Sequence, residues 1–227
     1  PFAMIPDWIG RPLSHGGAAV DVFFILSGMV IVRSLESFDW QAGGFLVARV
    51  ARTYTVYLAM LALAVPVQAL PTDFARLPWV PPDGMAHDIW SSGWPHAWAV
   101  ELATHLTMTH GLLPDAAVPA AWVSFLGSAW SLSTEWQFYV LALLLGRRIG
   151  ARRLVPAFLG LAVLALLWQA TAPPEWGFSR AFLPNKAHFF ALGIASAGVA
   201  RGGTVSGGAV RRYALVLVAT LAICAVE

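Results

Sequence analysis

The sequence predicts an all-α, polytopic transmembrane helix bundle of about six spans. Three observations carry that prediction. Hydrophobic residues make up 58% of the 227 and charged ones only 11%, far from the balance of a soluble domain. The mean hydropathy of +0.68 asks for several apolar helices, not a soluble core with one anchor. Apolar runs of helical length also recur along the chain, separated by polar, Pro- or Gly-containing or basic connections. A pI near 9.1 reflects a small excess of arginine, which reads here as a topology signal and not as a nucleic-acid footprint. The single cysteine, Cys224, excludes an intrachain disulfide and is expected to be a small core residue.

Residues 1–17 form a polar segment with Arg11 and His15. A first helix is expected from about Ala18 to Arg33, with Asp21 near its outer end and Gly28 seven residues on, nearly on the same face. Gly28 would let a second backbone approach closely. Asp21 reads equally well as a helix N-cap or as a member of a polar centre. The second helix runs from about Phe45 to Leu70, and Arg49 and Arg52 share a face with Thr53 and Tyr57. Two arginines there could grip phosphate bidentately, or could simply flank a span on its cytoplasmic side.

Residues 71–127 make the largest non-spanning region, rich in Pro, Trp and Gly in its first part, as suits an interface. Within it, Ala97 to Leu113 is expected as a helix lying in or dipping below the interface, with Glu101 and His105 at i, i+4 as a hydrogen-bonded pair and His110 beyond. One Glu and two His without a partner motif do not make a metal site, and none is predicted.

The helix Gly127 to Leu145 stands out. Ser128, Ser131, Glu135 and Tyr139 fall on one face of an otherwise apolar span. A carboxylate is expensive in hydrocarbon, so that face should meet a bundle interior or wet cavity. A basic loop follows, then a span at Leu154 to Ala172, a short helix at Asn185 to Ala200 carrying Lys186 and His188, a Gly-rich basic loop at Arg201 to Arg212, and a last helix from Tyr213 to Val226.

Counting Lys and Arg gives an orientation. Arg33, Arg49, Arg52, Arg147, Arg148, Arg152, Arg153, Arg201, Arg211 and Arg212 fall on one side, and Arg11, Arg76, Arg180 and Lys186 on the other. The first group is expected in the cytoplasm of a multi-pass protein of the plasma (inner) membrane. Polar groups then approach the membrane interior from both sides.

Three segments resemble one family. VDVFFILSGMVI is similar to the second-helix signature of the membrane acyltransferase 3 family, RVARTYTVY to its RxxRxxPxY segment, and WSLSTEWQFY to its WSLxxExxFY segment. Their order agrees too, as does AHFFALGIASAGVAR with a later family helix. Thr55 stands where the family often has Pro and Met29 where it often has Phe. The resemblance implies an integral membrane O-acyltransferase that moves an acyl group, often acetyl, from cytoplasmic acyl-CoA to a hydroxyl of a glycan or small acceptor, with no bound cofactor. It implies donor binding by Arg49 and Arg52 and a place for Glu135 in the polar centre; Glu135 is expected to be catalytic, with Asp21, Ser131 and Tyr139 as its polar support. It also implies a preceding helix carrying a catalytic histidine, for which His15 is no substitute. Residues 1–227 are accordingly expected to be one partial domain, cut at both ends.

Direct transfer is expected, since no GxSxG elbow or other nucleophile motif is present. A polytopic transporter or lipid-glycan flippase is the competing class, with intramembrane Arg and Glu lining a path. Against it stands the lack of an internal repeat.

Overall fold

The computed structural model describes residues 16–70, 93–200 and 207–226. Arg11, His15, Arg76 and Arg201 lie outside the described residues. Seven α-helices are described: α1 (Gly16–Ser37), α2 (Ala42–Gln68), α3 (Trp98–Leu106), α4 (Trp130–Ile149), α5 (Leu154–Thr171), α6 (Ala187–Ala200) and α7 (Gly207–Cys224). Among the described residues the only β pairing is an isolated bridge between Pro114 and Phe178. The all-α membrane bundle expected from the sequence is what forms.

Four segments are long and apolar enough to cross a membrane: Gly16–Ser37, Ala42–Gln68, Ala151–Thr171 and Gly207–Cys224. Two more helices complete the bundle without meeting that standard. The α4 helix is 20 residues long, but its polar stripe dilutes its hydropathy. The α6 helix has 14 residues, about 21 Å at 1.5 Å per residue, short of the ~30 Å hydrocarbon layer. What α6 lacks in length it makes up in burial: Ala187, Phe190 and Ala191 have no exposed surface.

The tightest packing is between α1 and α6, and α6 also packs on α5 and α7. Lipid tails are as apolar as leucine, so helices in a membrane associate through close packing more than through a hydrophobic drive. Gly28 and Gly193 supply that closeness. A Cβ on Gly28 would stand 2.5 Å from the carbonyl oxygen of Phe190, and one on Gly193 would reach 3.0 Å from the Cα of Gly28. Aromatic rings then tie four helices together. Phe190 stacks on Phe138 of α4 with centroids 4.1 Å apart and meets Phe24 of α1 at 4.9 Å, while Phe138 meets Phe158 of α5 at 5.2 Å.

The α2 helix is the contrast. Only Phe45, Tyr57 and Leu61 are buried along its length, and most of its apolar side chains face outward, as suits contact with lipid.

Several boundaries move. The helix expected over Ala97 to Leu113 ends at Leu106, because Met108 takes a left-handed φ of 55° and breaks the ladder. His110–Leu112 resumes as a single 3-10 turn. The last helix starts at Gly207, so Arg211 and Arg212 sit on α7 and not in a loop. Cys224 is exposed at the end of α7, with its Sγ 3.7 Å from His188 Nε2. It is therefore not the core residue expected: at the helix end the residue stays exposed although its thiol lies against His188.

Candidate active site

The α4 helix carries two polar faces with different partners. On the first, Glu135 is buried, with 8% of its surface exposed, and its Oε1 accepts a 2.8 Å hydrogen bond from Ser27 Oγ of α1. One turn along, the Tyr139 hydroxyl interacts with both the Glu135 carboxylate and the Arg49 guanidinium. Arg49 in turn donates from Nη2 to Ser34 Oγ at 2.8 Å. Its guanidinium carbon lies 5.6 Å from the Phe45 ring centroid and 5.7 Å from that of Tyr139, within cation–π range. Arg49 Nε is buried without a hydrogen-bond partner.

The result is a run of polar side chains, Ser27–Glu135–Tyr139–Arg49–Ser34. Its two ends lie seven residues apart on one face of α1, the i, i+7 spacing that puts both serines in register. Among the described residues Arg49 and Glu135 make no direct ion pair; Tyr139 lies between them. Because the three interacting groups come from α4 and α2 and are pinned by α1, any shift of these helices changes the site.

The second face of α4 carries only neutral groups, all satisfied. Ser133 Oγ donates to the Met108 carbonyl at 2.8 Å and accepts from the Gly111 N–H at 3.1 Å. Thr134 Oγ1 donates to the Ala181 carbonyl at 3.0 Å. Gln137 Nε2 donates to that same carbonyl at 2.9 Å, and Gln137 Oε1 accepts from the Leu183 N–H at 2.9 Å. Two irregular segments are thereby bolted to one helix.

The predicted residues divide accordingly. Glu135, Tyr139 and Arg49 are brought together. Arg52 is exposed one turn further along α2. Positions three apart differ by about 60° around a helix, enough to turn one arginine inward and its neighbour out. Asp21 is not a cap, since α1 begins five residues earlier at Gly16; it pairs with Lys186 Nζ at 3.5 Å. Ser131 is half-buried and makes no hydrogen bond among the described residues. Ser128 is exposed in the 3-10 turn Gly127–Ala129 that precedes α4, where α-helical spacing does not hold. Ser27 and Ser34 were not singled out from the sequence, although a lone serine in the apolar run FFILSGM is the kind of signal that marks a buried partner.

A third polar feature lies in and after α3. His105 and His110 are fully buried and stacked, with ring centroids 4.0 Å apart and planes 11° from parallel. His105 Nδ1 lies 2.9 Å from the backbone carbonyl of Glu101, so the expected Glu101–His105 pair forms through the main chain and not through the carboxylate. The Tyr57 hydroxyl donates to the His105 carbonyl at 2.8 Å. Burial holds both imidazoles below their ordinary pKa, and for His110 burial and the neighbouring His105 lower it to about 3. Both rings are neutral at physiological pH. No group of three metal-ligating side chains occurs among the described residues.

No curated protein and no solved structure matches this chain. A family model does, described as an acyltransferase domain, and the match runs over residues 2–226. It spans the Ser27-to-Ser34 helix, the arginine pair and the Trp130–Tyr139 stretch alike. The chain belongs to this acyltransferase family, the membrane acyltransferase 3 family, and is a membrane acyltransferase.

Proposed function

We propose that this membrane acyltransferase moves an acyl group, acetyl being the simplest, from cytoplasmic acyl-CoA to a hydroxyl of a glycan or other small acceptor. The observation that carries the reading is the run Ser27–Glu135–Tyr139–Arg49–Ser34 across three helices, buried at Ser27, Glu135 and Tyr139 and half-buried at Arg49 and Ser34. A membrane protein holds charged groups inside its bundle at a cost, and acyl transfer to an alcohol uses both kinds of charge found here.

In that reaction the acceptor oxygen attacks the thioester carbonyl carbon, the C–S bond breaks, and the thiol leaves with a proton. The hydroxyl proton must be taken by a base, for which the family resemblance implies a histidine. Glu135 stabilises the positive charge that the base acquires. Arg49, with its unpartnered Nε, and the exposed Arg52 one turn away hold the phosphates of the donor. Asp21 and Ser131 support the acceptor end. The excess of arginine near Arg49 supports a cytoplasmic donor side, and a plasma-membrane location goes with that reading.

The test uses full-length protein in sealed membrane vesicles of both orientations, supplied with labelled acetyl-CoA. Transfer to the glycan fraction is expected when the cytoplasmic face is outermost. Arg52→Lys should raise the KM for acetyl-CoA severalfold, since lysine cannot form the bidentate grip, and leave the acceptor KM unchanged. Equal labelling in both orientations, or an unchanged donor KM, contradicts this reading.

A further inference from the structure

Arg180 is exposed, yet the chain on both sides of it is tied down. Asn185 Nδ2 donates to the carbonyls of Phe178 at 3.0 Å and Ser179 at 2.8 Å. The Ala181 carbonyl accepts from Thr134 and Gln137 of α4, and Gln137 Oε1 holds the Leu183 N–H. Ala181 and Leu183 are themselves buried. A satisfied network of this kind rigidifies what it holds, and the side chain it holds outward is an arginine.

That side chain is also guided. The guanidinium carbon lies 5.6 Å from the ring centroid of Trp122 and 5.9 Å from that of Trp130, within cation–π range of both. The two indoles meet edge to face, with centroids 6.4 Å apart and planes at 82°, so Arg180 sits in a corner between them. Stacking uses the flat faces of a guanidinium, whereas its five N–H groups lie in its plane. Among the described residues those groups have no hydrogen-bond or carboxylate partner. Asp21, whose helix α1 meets Trp130 through Phe24, is already paired with Lys186. Packing on two indoles does not by itself require a charge, and no acid among the described residues balances this one.

The corner stands at one end of the candidate active site. Trp130 opens α4 five residues before Glu135, about 7.5 Å along the axis at 1.5 Å per residue, and Arg147 and Arg148 mark the opposite end of the helix. Ser131, beside Trp130, is half-buried with its hydroxyl unused among the described residues. We propose that Arg180, set in the corner of Trp122 and Trp130, binds an oxyanion of the acyl acceptor, which is therefore an acidic glycan bearing a carboxylate or phosphate. Two in-plane N–H groups grip two anionic oxygens bidentately, and the hydroxyl to be acylated lies toward Glu135. Assigning the oxyanion to the acceptor rests on the acyltransfer reading above. A lipid headgroup phosphate offers the same oxygens, and the test separates the two sources.

The test uses full-length protein in phosphatidylcholine nanodiscs and reads sugar binding by saturation-transfer NMR. Methyl β-D-glucuronide and glucose 6-phosphate are the acidic probes, and methyl β-D-glucoside is the neutral one. At least one acid should bind about tenfold more tightly than the glucoside, the size of one charge-assisted contact. Arg180→Gln should remove that preference, and Arg180→Lys should keep only part of it, having charge without the planar fork. Should the Gln variant not fold, the comparison of wild type with Arg180→Lys decides. Equal binding of acidic and neutral sugars, or a preference that survives both substitutions, would overturn the subsite. Labelled phosphatidylglycerol added to the nanodiscs tests the other source. If Arg180 retains that lipid while neither acidic sugar is preferred, the oxyanion belongs to a headgroup and the acceptor assignment is overturned. Acyl transfer from acetyl-CoA, measured on the same preparation, separates this claim from the one it rests on. Transfer without a preference for acidic sugars overturns the subsite alone. A preference without transfer supports the subsite and counts against the acyltransfer reading.

Discussion

The two polar faces of α4 are built from the same short stretch, yet they differ in kind. Ser133, Thr134 and Gln137 bond to main-chain groups of the 108–111 and 181–183 segments, and every bond there has a neutral donor and acceptor. Glu135 and Tyr139 point instead to side chains of other helices, include charge, and end at an arginine nitrogen without a partner. The first face resembles carpentry: it stitches irregular backbone that would otherwise leave buried groups unpaired. The second keeps unspent capacity, which is what a site for a ligand or a reaction needs. Polarity inside a membrane helix is therefore not one signal but two, and they are separated by whether the partners are complete.

The comparison can be broken most forcefully from outside α4. Gly28→Val would drive a branched side chain into the α6 backbone, at the upper end of overpacking costs, about 3 kcal/mol. Because Ser27 is the adjacent residue, the bond to Glu135 should be lost as α1 withdraws. A large fall in melting temperature in nanodiscs is expected, together with loss of activity. A wild-type melt would show that the α1–α6 contact does not position the charged face.

Ser133→Ala addresses the neutral face alone. It strands the Met108 carbonyl and the Gly111 N–H in a buried place, at about 2 kcal/mol. Melting should fall, while acyl transfer per folded molecule should hold.

A smaller effect should appear with pH. His110 is held at about 3 in the folded protein, below its ordinary value near 6.5. Above pH 6.5 neither state binds the proton, and stability is at its full value. As pH falls from 6.5 toward 3 only the unfolded chain gains the proton, so stability declines, by at most about 1.4 kcal/mol per pH unit for this group. Melting followed from pH 7 to 5 should show the decline, and His110→Gln should make it shallower, leaving the part that His105 contributes in the same direction. An equal slope in the variant would place the pH dependence elsewhere.

Much of the architecture was legible because it rests on local rules. Six apolar runs give six helices close to their expected places, and Gly28 was readable as a point of close approach. The charged face was legible in part. Glu135 and Tyr139 follow from a four-residue period, but Ser27 lies 108 residues from Glu135, and no periodicity reveals a partner at that distance. The neutral face was missed because its job is to satisfy loop backbone whose path the sequence does not specify. Arg52 and Ser131 show the limit of face counting. Sharing a face within 60° leaves open which edge turns inward, and that is decided by the neighbouring helix.

The most direct measurement sets Glu135→Gln beside Ser133→Ala in full-length protein at matched membrane abundance, following both labelled acyl transfer and thermal melting. Glu135→Gln keeps the shape and most hydrogen bonds but removes the charge, so transfer should fall roughly a hundredfold or more with little change in melting. Ser133→Ala should do the reverse. Wild-type transfer by Glu135→Gln, or the same ratio of lost activity to lost stability in both variants, would contradict a division of α4 into one face for chemistry and one for structure.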